Sequence, residues 1–497
     1  MPKRIVILGG GTAGWMAANL FAKRWSPEQV AVTVVESPDI GIIGVGEGST
    51  PFLERFFRLI EVDDSEWMPR CNATYKLAIS FAGWSPASGI DSYSHPFLSQ
   101  VDHFTENAFV ANCHKRRLGL DVHTQPDDFF INSLLVNERK GPRLPENFPF
   151  AIGYGYHFDA GLLGQFLGEV AVSRGVQHVR SKIADVAMAE DGNIAALLDD
   201  TGVRFEADLF VDCTGFASLL MQKSLGVKFE SFKSNLFNDA AVVMPTAADD
   251  APRPETVSYA MSNGWCWKIP LTNRFGNGYV YSSDFISADD AETELRDFLG
   301  MLDSEEPARH LKMNVGQIER HWEKNCLALG LSQGFIEPLE ATALLLVQQA
   351  IEMFIARYEK GDFTPQLRDD FNIKVHERFE RVRDYIVTHY KLNTRDDTDY
   401  WRANRENMEL SDSLRHILDV WYRRGDLAKE IHRQKIESHF TATSWHCLLA
   451  GYGAFPPLAA DQPGQGDLYD EHGIADFLRR CSLNFDSHRD NLAVQRR

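Results

Sequence analysis

The run Gly9-Gly10-Gly11-Thr12-Ala13-Gly14 constrains the fold more than any other part of the chain. It follows directly on Arg4-Ile5-Val6-Ile7-Leu8, an apolar stretch of the kind buried in a parallel sheet, and opens onto the helix-forming run Trp15 to Arg24. In that position a G-x-G-x-x-G spacing is the first turn of a dinucleotide-binding βαβ unit. Gly9 permits the tight turn, Gly11 lets the backbone approach a pyrophosphate, and Gly14 lets helix and strand pack closely. Thr12 and Ala13 lie at the helix N-terminus, which faces the phosphates. A second strand, Val30 to Val35, ends in Glu36, 22 residues beyond Gly14 and close to the offset of about 20 at which a carboxylate takes a ribose hydroxyl. A 2′-phosphate is repelled there. These features predict an α/β, Rossmann-like fold but leave NAD and FAD open.

Composition sets the surroundings. With 497 residues and 44% apolar content the chain can bury a large core and divides into two to three domain-sized regions. Apolar runs such as Leu344-Leu345-Leu346-Val347 fall well short of the roughly 18 to 20 residues needed to cross a bilayer. The N-terminus reads as a first strand and not as a signal peptide, because its apolar stretch runs into the glycines. Seven cysteines without a CxxC pair argue against a disulfide framework or a metal site, and fit a reducing cytoplasm. A net charge of −19, from 51 basic and 70 acidic residues, argues against nucleic acid or an anionic membrane as partner.

Later segments favour FAD. Ala207 to Gly215 is an apolar strand ending in a small-residue turn, the pattern that brings a later strand back beside the nucleotide. Cys326 to Gly334 supplies a further strand and a glycine-bearing loop. Between them, Gly175 to Asp212 reads as a small antiparallel insertion with turns at Glu190-Asp191-Gly192 and at Asp199 to Gly202. No second G-x-G-x-x-G follows a strand, so no nicotinamide domain is expected and electrons arrive by another route. In Gly264-Trp265-Cys266-Trp267-Lys268-Ile269-Pro270 two tryptophans at period 2 point to one face of a strand and form an aromatic wall.

With these motifs the chain resembles the flavin-dependent halogenases of the tryptophan-halogenase type. Gly9 to Trp15 match the family's opening GGGTAGW, Trp265 to Pro270 its WxWxIP motif, and Lys76 within Asn72 to Ile79 its catalytic lysine. The resemblance extends to Val45 to Pro51, His157-Phe158-Asp159-Ala160 and Gly334 to Glu340, with weaker echoes at Arg395 to Trp401 and Ser444-Trp445. It implies FAD used as FADH2, reduced by a separate NAD(P)H-dependent flavin reductase, and oxidation of chloride or bromide to hypohalous acid. It makes Lys76 the group that receives hypohalous acid, as a hydrogen-bond donor or as a haloamine, and Glu340 the acceptor of the ring proton. Thr342 and Ala343, at the start of the helical run ending near Tyr358, become the halide site. Trp265, Trp267, Ile269 and Pro270 become a barrier between flavin and substrate. Glu47, Gly48, Val186, Leu331 and Leu344 join the glycine loop and Glu36 as flavin contacts. The chain departs from the family at Ala341-Thr342-Ala343, where Ser-Thr-Gly is common. The missing hydroxyl at 341 removes any side-chain link there between flavin and the active site, the extra methyl of Ala343 alters the halide fit, and a looser, more polarisable site favours bromide.

The resulting organisation is a discontinuous FAD-binding module over 1–50, 151–220 and 310–345, and a β-sheet substrate side over 51–150 and 221–309. A helical region, 346–497, closes the active site. Phe81, Trp84, Tyr93, His95, Phe97 and Phe104 are expected to build one substrate wall. The expected substrate is an electron-rich aromatic, an indole foremost. A flavin-dependent aromatic hydroxylase and a non-catalytic FAD-binding sensor are the alternatives, and a homodimer is left open.

Overall fold

The structure is a computed structural model that describes residues 2–39 and 46–495, so Val45 of the Val45 to Pro51 motif lies outside the described residues. The chain forms two compact units, each assembled from three stretches. One comprises Met1–Ala73, Phe158–Lys233 and Met313–Glu380; the other comprises Thr74–His157, Ser234–Lys312 and Arg381–Arg497. Residues 51–73 and 346–380, expected outside the nucleotide module, pack within the first unit.

The first unit is built on a six-stranded sheet in the order Trp322–Glu323, Cys326–Ala328, Leu209–Asp212, Lys3–Leu8, Val30–Glu36, Gln177–Arg180. Every pair is parallel except the first. The last four residues of Lys3–Leu8 are all buried, as a strand covered on both faces requires. The expected insertion is present as a three-stranded antiparallel sheet of Ile183–Met188, Ile194–Asp199 and Arg204–Phe205.

The helix that follows the glycine loop, Thr12–Arg24, is held by two others. A side chain at Gly168 on Ala160–Ser173 would begin 3.1 Å from the Trp15 ring, and Asn19 Nδ2 donates to Leu167 O at 2.8 Å. Glu359 on Ala343–Lys360 receives Arg24 Nε and Nη2 at 2.5 and 2.8 Å, and Trp25 Nε1 at 2.8 Å. Phe354 and Tyr358 of the same helix pack on Phe21 and Trp25 with ring centres 6.0 and 6.2 Å apart, so the chain beyond 345 continues in this unit.

The second unit carries a seven-stranded sheet in the order Arg309–Lys312, Ala240–Ala247, Arg274–Tyr281, Gly264–Pro270, Glu255–Met261, Ala78–Ala82, Ser92–Pro96. Its pairs are antiparallel except that between Glu255–Met261 and Ala78–Ala82. On one face Ala291 and Leu295 of the helix Ala288–Leu299 join Val242, Met244, Cys266 and Tyr279 in an apolar cluster. Trp265, Trp267 and Ile269 alternate with Cys266 and so line the opposite face. There Phe81 stacks on Tyr93 at 5.1 Å and lies 4.5 Å from His389.

Trp267 occupies the space a side chain on the neighbouring strand would take, because a Cβ at Gly278 would begin 2.1 Å from the Trp267 ring. Gly278→Ala is therefore expected to displace the indole and cost about 1–3 kcal/mol. Urea unfolding of the variant followed by tryptophan emission measures that loss, and a midpoint equal to the parent's contradicts it.

Candidate active site

The glycine loop is shaped by what has no room to be there. Gly9 has φ of +114°, and a side chain on it would run into Cys213 O at 2.2 Å. A Cβ at Gly14 would meet Gly9 O at 2.1 Å, and one at Gly10 would meet the Glu36 carboxyl carbon at 2.4 Å. Gly11 is the opposite case, since nothing lies within 4 Å of the position a Cβ would take. It is the N-cap of Thr12–Arg24, no side chain caps that helix, and its first turn has no acidic residue. Open space thus faces the positive end of a helix whose leading amides have no intrahelical partner. These residues fit the pyrophosphate of a dinucleotide.

Glu36 ends its strand as expected, with one carboxylate oxygen 2.8 Å from His178 Nε2. The loop Gly330–Ser332 approaches the same helix, for a side chain on Gly330 would begin 2.8 Å from Ala13 Cβ, and this places Leu331 nearby. Val186 instead packs against the apolar cluster that includes Val6, Leu8 and Val35. Glu47 and Gly48 form the end of a short strand, Gly46–Gly48. Loss of hydration, with repulsion from Asp159 second, pushes the Glu47 carboxyl up to about 7.

A residue that sequence reasoning passed over organises this region. Asp212 is fully buried and accepts from Thr214 N, Thr214 Oγ1, Leu220 N and Met221 N at 2.6 to 3.0 Å. Its own carbonyl accepts from Leu329 N at 3.0 Å and from Ser332 Oγ. Burial raises its carboxyl above the ordinary range, against the lowering by its donors. An acid closing an apolar strand was the available signal.

Also in the first unit, Glu340 is 2% exposed and ends the short 3-10 turn Pro338–Glu340. Ala341 follows with φ 55° and ψ 36°, a left-handed conformation, and donates its N–H to Pro338 O at 3.0 Å. Thr342 is the buried N-cap of Ala343–Lys360, its side chain does not cap the helix, and Ala343 is exposed while Leu344 is buried. Backbone amides thus dominate this helix start.

In the second unit Lys76 is fully buried on the strand Thr74–Lys76, with Nζ 5.5 Å from the centre of the Phe97 ring. Thr74, two residues earlier, points to the same face. Its hydroxyl donates to Pro270 O at 2.8 Å, tying the lysine strand to the last residue of the Trp265 to Pro270 motif. Trp265 and Trp267 are 1% and 7% exposed, with ring centres 6.0 Å apart, and Ile269 is 7% exposed. Of the expected wall, Phe81, Trp84, Tyr93, His95 and Phe97 are buried, whereas Phe104 is 62% exposed. Among the described residues no cluster of three metal-ligating side chains occurs, and no helix is long and apolar enough to cross a membrane.

A family model described as tryptophan halogenase matches residues 4–463. The chain is 36% identical over 448 residues to the tryptophan 6-halogenase SttH of Streptomyces toxytricini, with 84% of each covered. Among solved structures, Tar14, a tryptophan C-6 flavin-dependent halogenase (chlorinase) from taromycin biosynthesis, has a TM-score of 0.86 at 33% identity over 100% of both chains. BrvH, a flavin-dependent halogenase from Brevundimonas sp. BAL3, has a TM-score of 0.84 at 31% identity over 100% of this chain and 99% of the other. The Rossmann-like, FAD-binding fold expected from the sequence is the fold of these neighbours.

The raised Glu47 carboxyl yields a pH test. Folded protein holds this proton more tightly than unfolded chain, so Glu47 favours folding below its ordinary value of 4.5, and that contribution is lost as pH rises to about 7. Glu47→Gln removes the dependence. In flavin-free protein the melting temperature of the variant minus that of the parent should rise between about pH 5 and pH 8. A difference that stays constant over that range counts against the shift.

Proposed function

The chain belongs to the tryptophan-halogenase family and is a flavin-dependent halogenase, and we propose that it installs chloride or bromide on an electron-rich indole through hypohalous acid delivered to Lys76. Bound FADH2, replenished by a separate NAD(P)H-dependent reductase, would supply with O2 the two-electron oxidation of halide. The residues that would hold it are Gly9, Gly11, Thr12, Ala13 and Gly14 at the pyrophosphate, Glu36 at the ribose, and Glu47, Gly48, Val186, Leu331 and Leu344 elsewhere. The observation that carries the reading is a fully buried lysine on a strand bonded directly to the paired-tryptophan motif.

Each residue then has one task. Thr342 and Ala343 present backbone amides to the halide at a helix N-terminus. Trp265, Trp267, Ile269 and Pro270 separate substrate from flavin, so that oxygen chemistry ends on halide and not on the ring. Lys76 holds hypohalous acid through its oxygen, or carries the halogen as a haloamine, in a dry setting where an ammonium's hydrogen bond is strong. As the ring carbon takes the halogen, the departing hydroxyl takes a proton from the Lys76 ammonium and leaves as water, or on the haloamine route the amine nitrogen is the leaving group, and Glu340 accepts the proton the ring gives up. The methyl of Ala343 alters the halide fit, and a looser, more polarisable site favours bromide.

Incubation of the protein with FAD, a flavin reductase, NADH, bromide and a panel of indoles tests the reading by mass spectrometry. Brominated product showing the bromine isotope doublet is expected. Hydroxylated product would establish the hydroxylase instead, and flavin binding without any product would favour a sensor. Lys76→Ala should abolish halogenated product while NADH consumption and reoxidation of the flavin by oxygen continue. With chloride and bromide at equal concentration, brominated product should exceed chlorinated product; the reverse overturns the assignment at Ala343.

A further inference from the structure

The strand that carries Lys76 is gripped by residues from four distant stretches of the second unit. Thr74 Oγ1 has a single proton, and donates it to Pro270 O, so the 3.0 Å contact with His157 Nδ1 is one in which His157 donates. His157 Nε2 then accepts from Thr256 Oγ1 at 2.9 Å. Burial, with Lys76 second and His488 third, holds the His157 imidazole far below its usual value. On the other face, Tyr75 N donates to His488 Nε2 at 3.3 Å. His488 Nδ1 can only donate to the carbonyl of Pro252, 2.8 Å away, so its tautomer is set by its bonds. Protonation of Nε2 would place a proton against the Tyr75 amide proton.

The same helix, His488–Gln495, reaches the strand a second time. Gln495 Nε2 donates to Tyr75 OH at 2.6 Å. Leu77 N donates to Pro254 O at 2.7 Å, and Leu77 O receives Phe97 N at 2.9 Å. Thr74, Tyr75, Lys76, His157 and His488 are each 1% exposed or less. Two histidines, both held as neutral imidazoles by their hydrogen bonds, therefore brace the two residues that precede the lysine on its strand.

We propose that His488 and His157 are positioning residues for Lys76, and that the helix His488–Gln495 is part of the reaction's machinery although its residues act only through the Thr74–Lys76 strand. This rests on the reading of Lys76 given above. A misplaced lysine would hold hypohalous acid in the wrong place relative to the ring carbon, and displacement of about 1 Å in such an arrangement can cost a hundredfold. The oxidant would then be lost to solvent instead of reaching the substrate.

The test compares the parent with His488→Phe, His488→Gln and Gln495→Ala, each as full-length protein with FAD, reductase, bromide and an indole that the parent brominates. His488→Phe should raise hydrogen exchange at the Tyr75 amide. It should also lower brominated product per flavin oxidised by roughly tenfold or more, with the missing oxidant appearing as free hypobromous acid in a monochlorodimedone trap. His488→Gln, whose amide oxygen can accept from Tyr75 N, should recover part of the yield, and Gln495→Ala should give a smaller loss. Should His488→Phe fail to fold, the glutamine and Gln495 variants carry the same comparison. A rise in Tyr75 exchange with unchanged product per flavin overturns the positioning role and leaves the halogenase reading intact. A parent that brominates no indole overturns that reading first, and the positioning role with it.

Discussion

The nucleotide side of this protein depends on a carboxylate that has been taken out of water. Asp212 closes the strand beside Lys3–Leu8 with its side chain fully buried, and an isolated charge there would be prohibitively costly. Four donors from Thr214, Leu220 and Met221 offset that cost, and all belong to the turn that follows. Because the same residue's carbonyl holds Leu329 and Ser332, one position fixes two loops at once. Cys213 is thereby pressed against the first turn, and its carbonyl oxygen is what denies a side chain to Gly9. The glycine pattern at the start of the chain is thus partly a consequence of an aspartate two hundred residues later.

The second unit solves a different problem, how to hold a lysine without water. Its strand is gripped by hydroxyls, carbonyls and two imidazoles. The paired tryptophans share this economy of space. Trp267 spreads over Gly278 because the neighbouring strand offers no side chain there, so the aromatic wall and the glycine are one feature seen from two strands.

Local patterns were readable and remote contacts were not. The βαβ start, the returning strand at Leu209–Asp212, the antiparallel insertion and the alternation of Trp265 with Cys266 follow from patterns within one continuous stretch of chain each, and the structure has each of them. The chain beyond 345 packs with the first unit because Phe354 and Tyr358 lie on Phe21 and Trp25, and an apolar helix face does not announce which element covers it. Phe104 was expected in an aromatic wall and is exposed, since aromatic content alone does not say which way a ring points. His488 stands in a charged segment, Asp486 to Asp490, yet it is 1% exposed and bonded to Tyr75. Of the proposed site, spacing and resemblance located the lysine, the glutamate and the tryptophans, but nothing nearby in sequence announces what holds them.

The departure at Ala341-Thr342-Ala343 can now be weighed against geometry. Ala341 sits in the left-handed region, a conformation that costs a residue with a Cβ about 1–2 kcal/mol. The turn is nevertheless formed, with its N–H on Pro338 O, so backbone bonding and the rigid proline before it suffice to set the bend between Glu340 and the helix. A serine hydroxyl is not required to build it. What alanine in place of serine removes is therefore any side-chain link through position 341, while the direction of the helix and its leading amides are kept. On the reading proposed for this helix start, the contact with halide is made by backbone alone, and choice between halides falls to the space around the exposed methyl of Ala343.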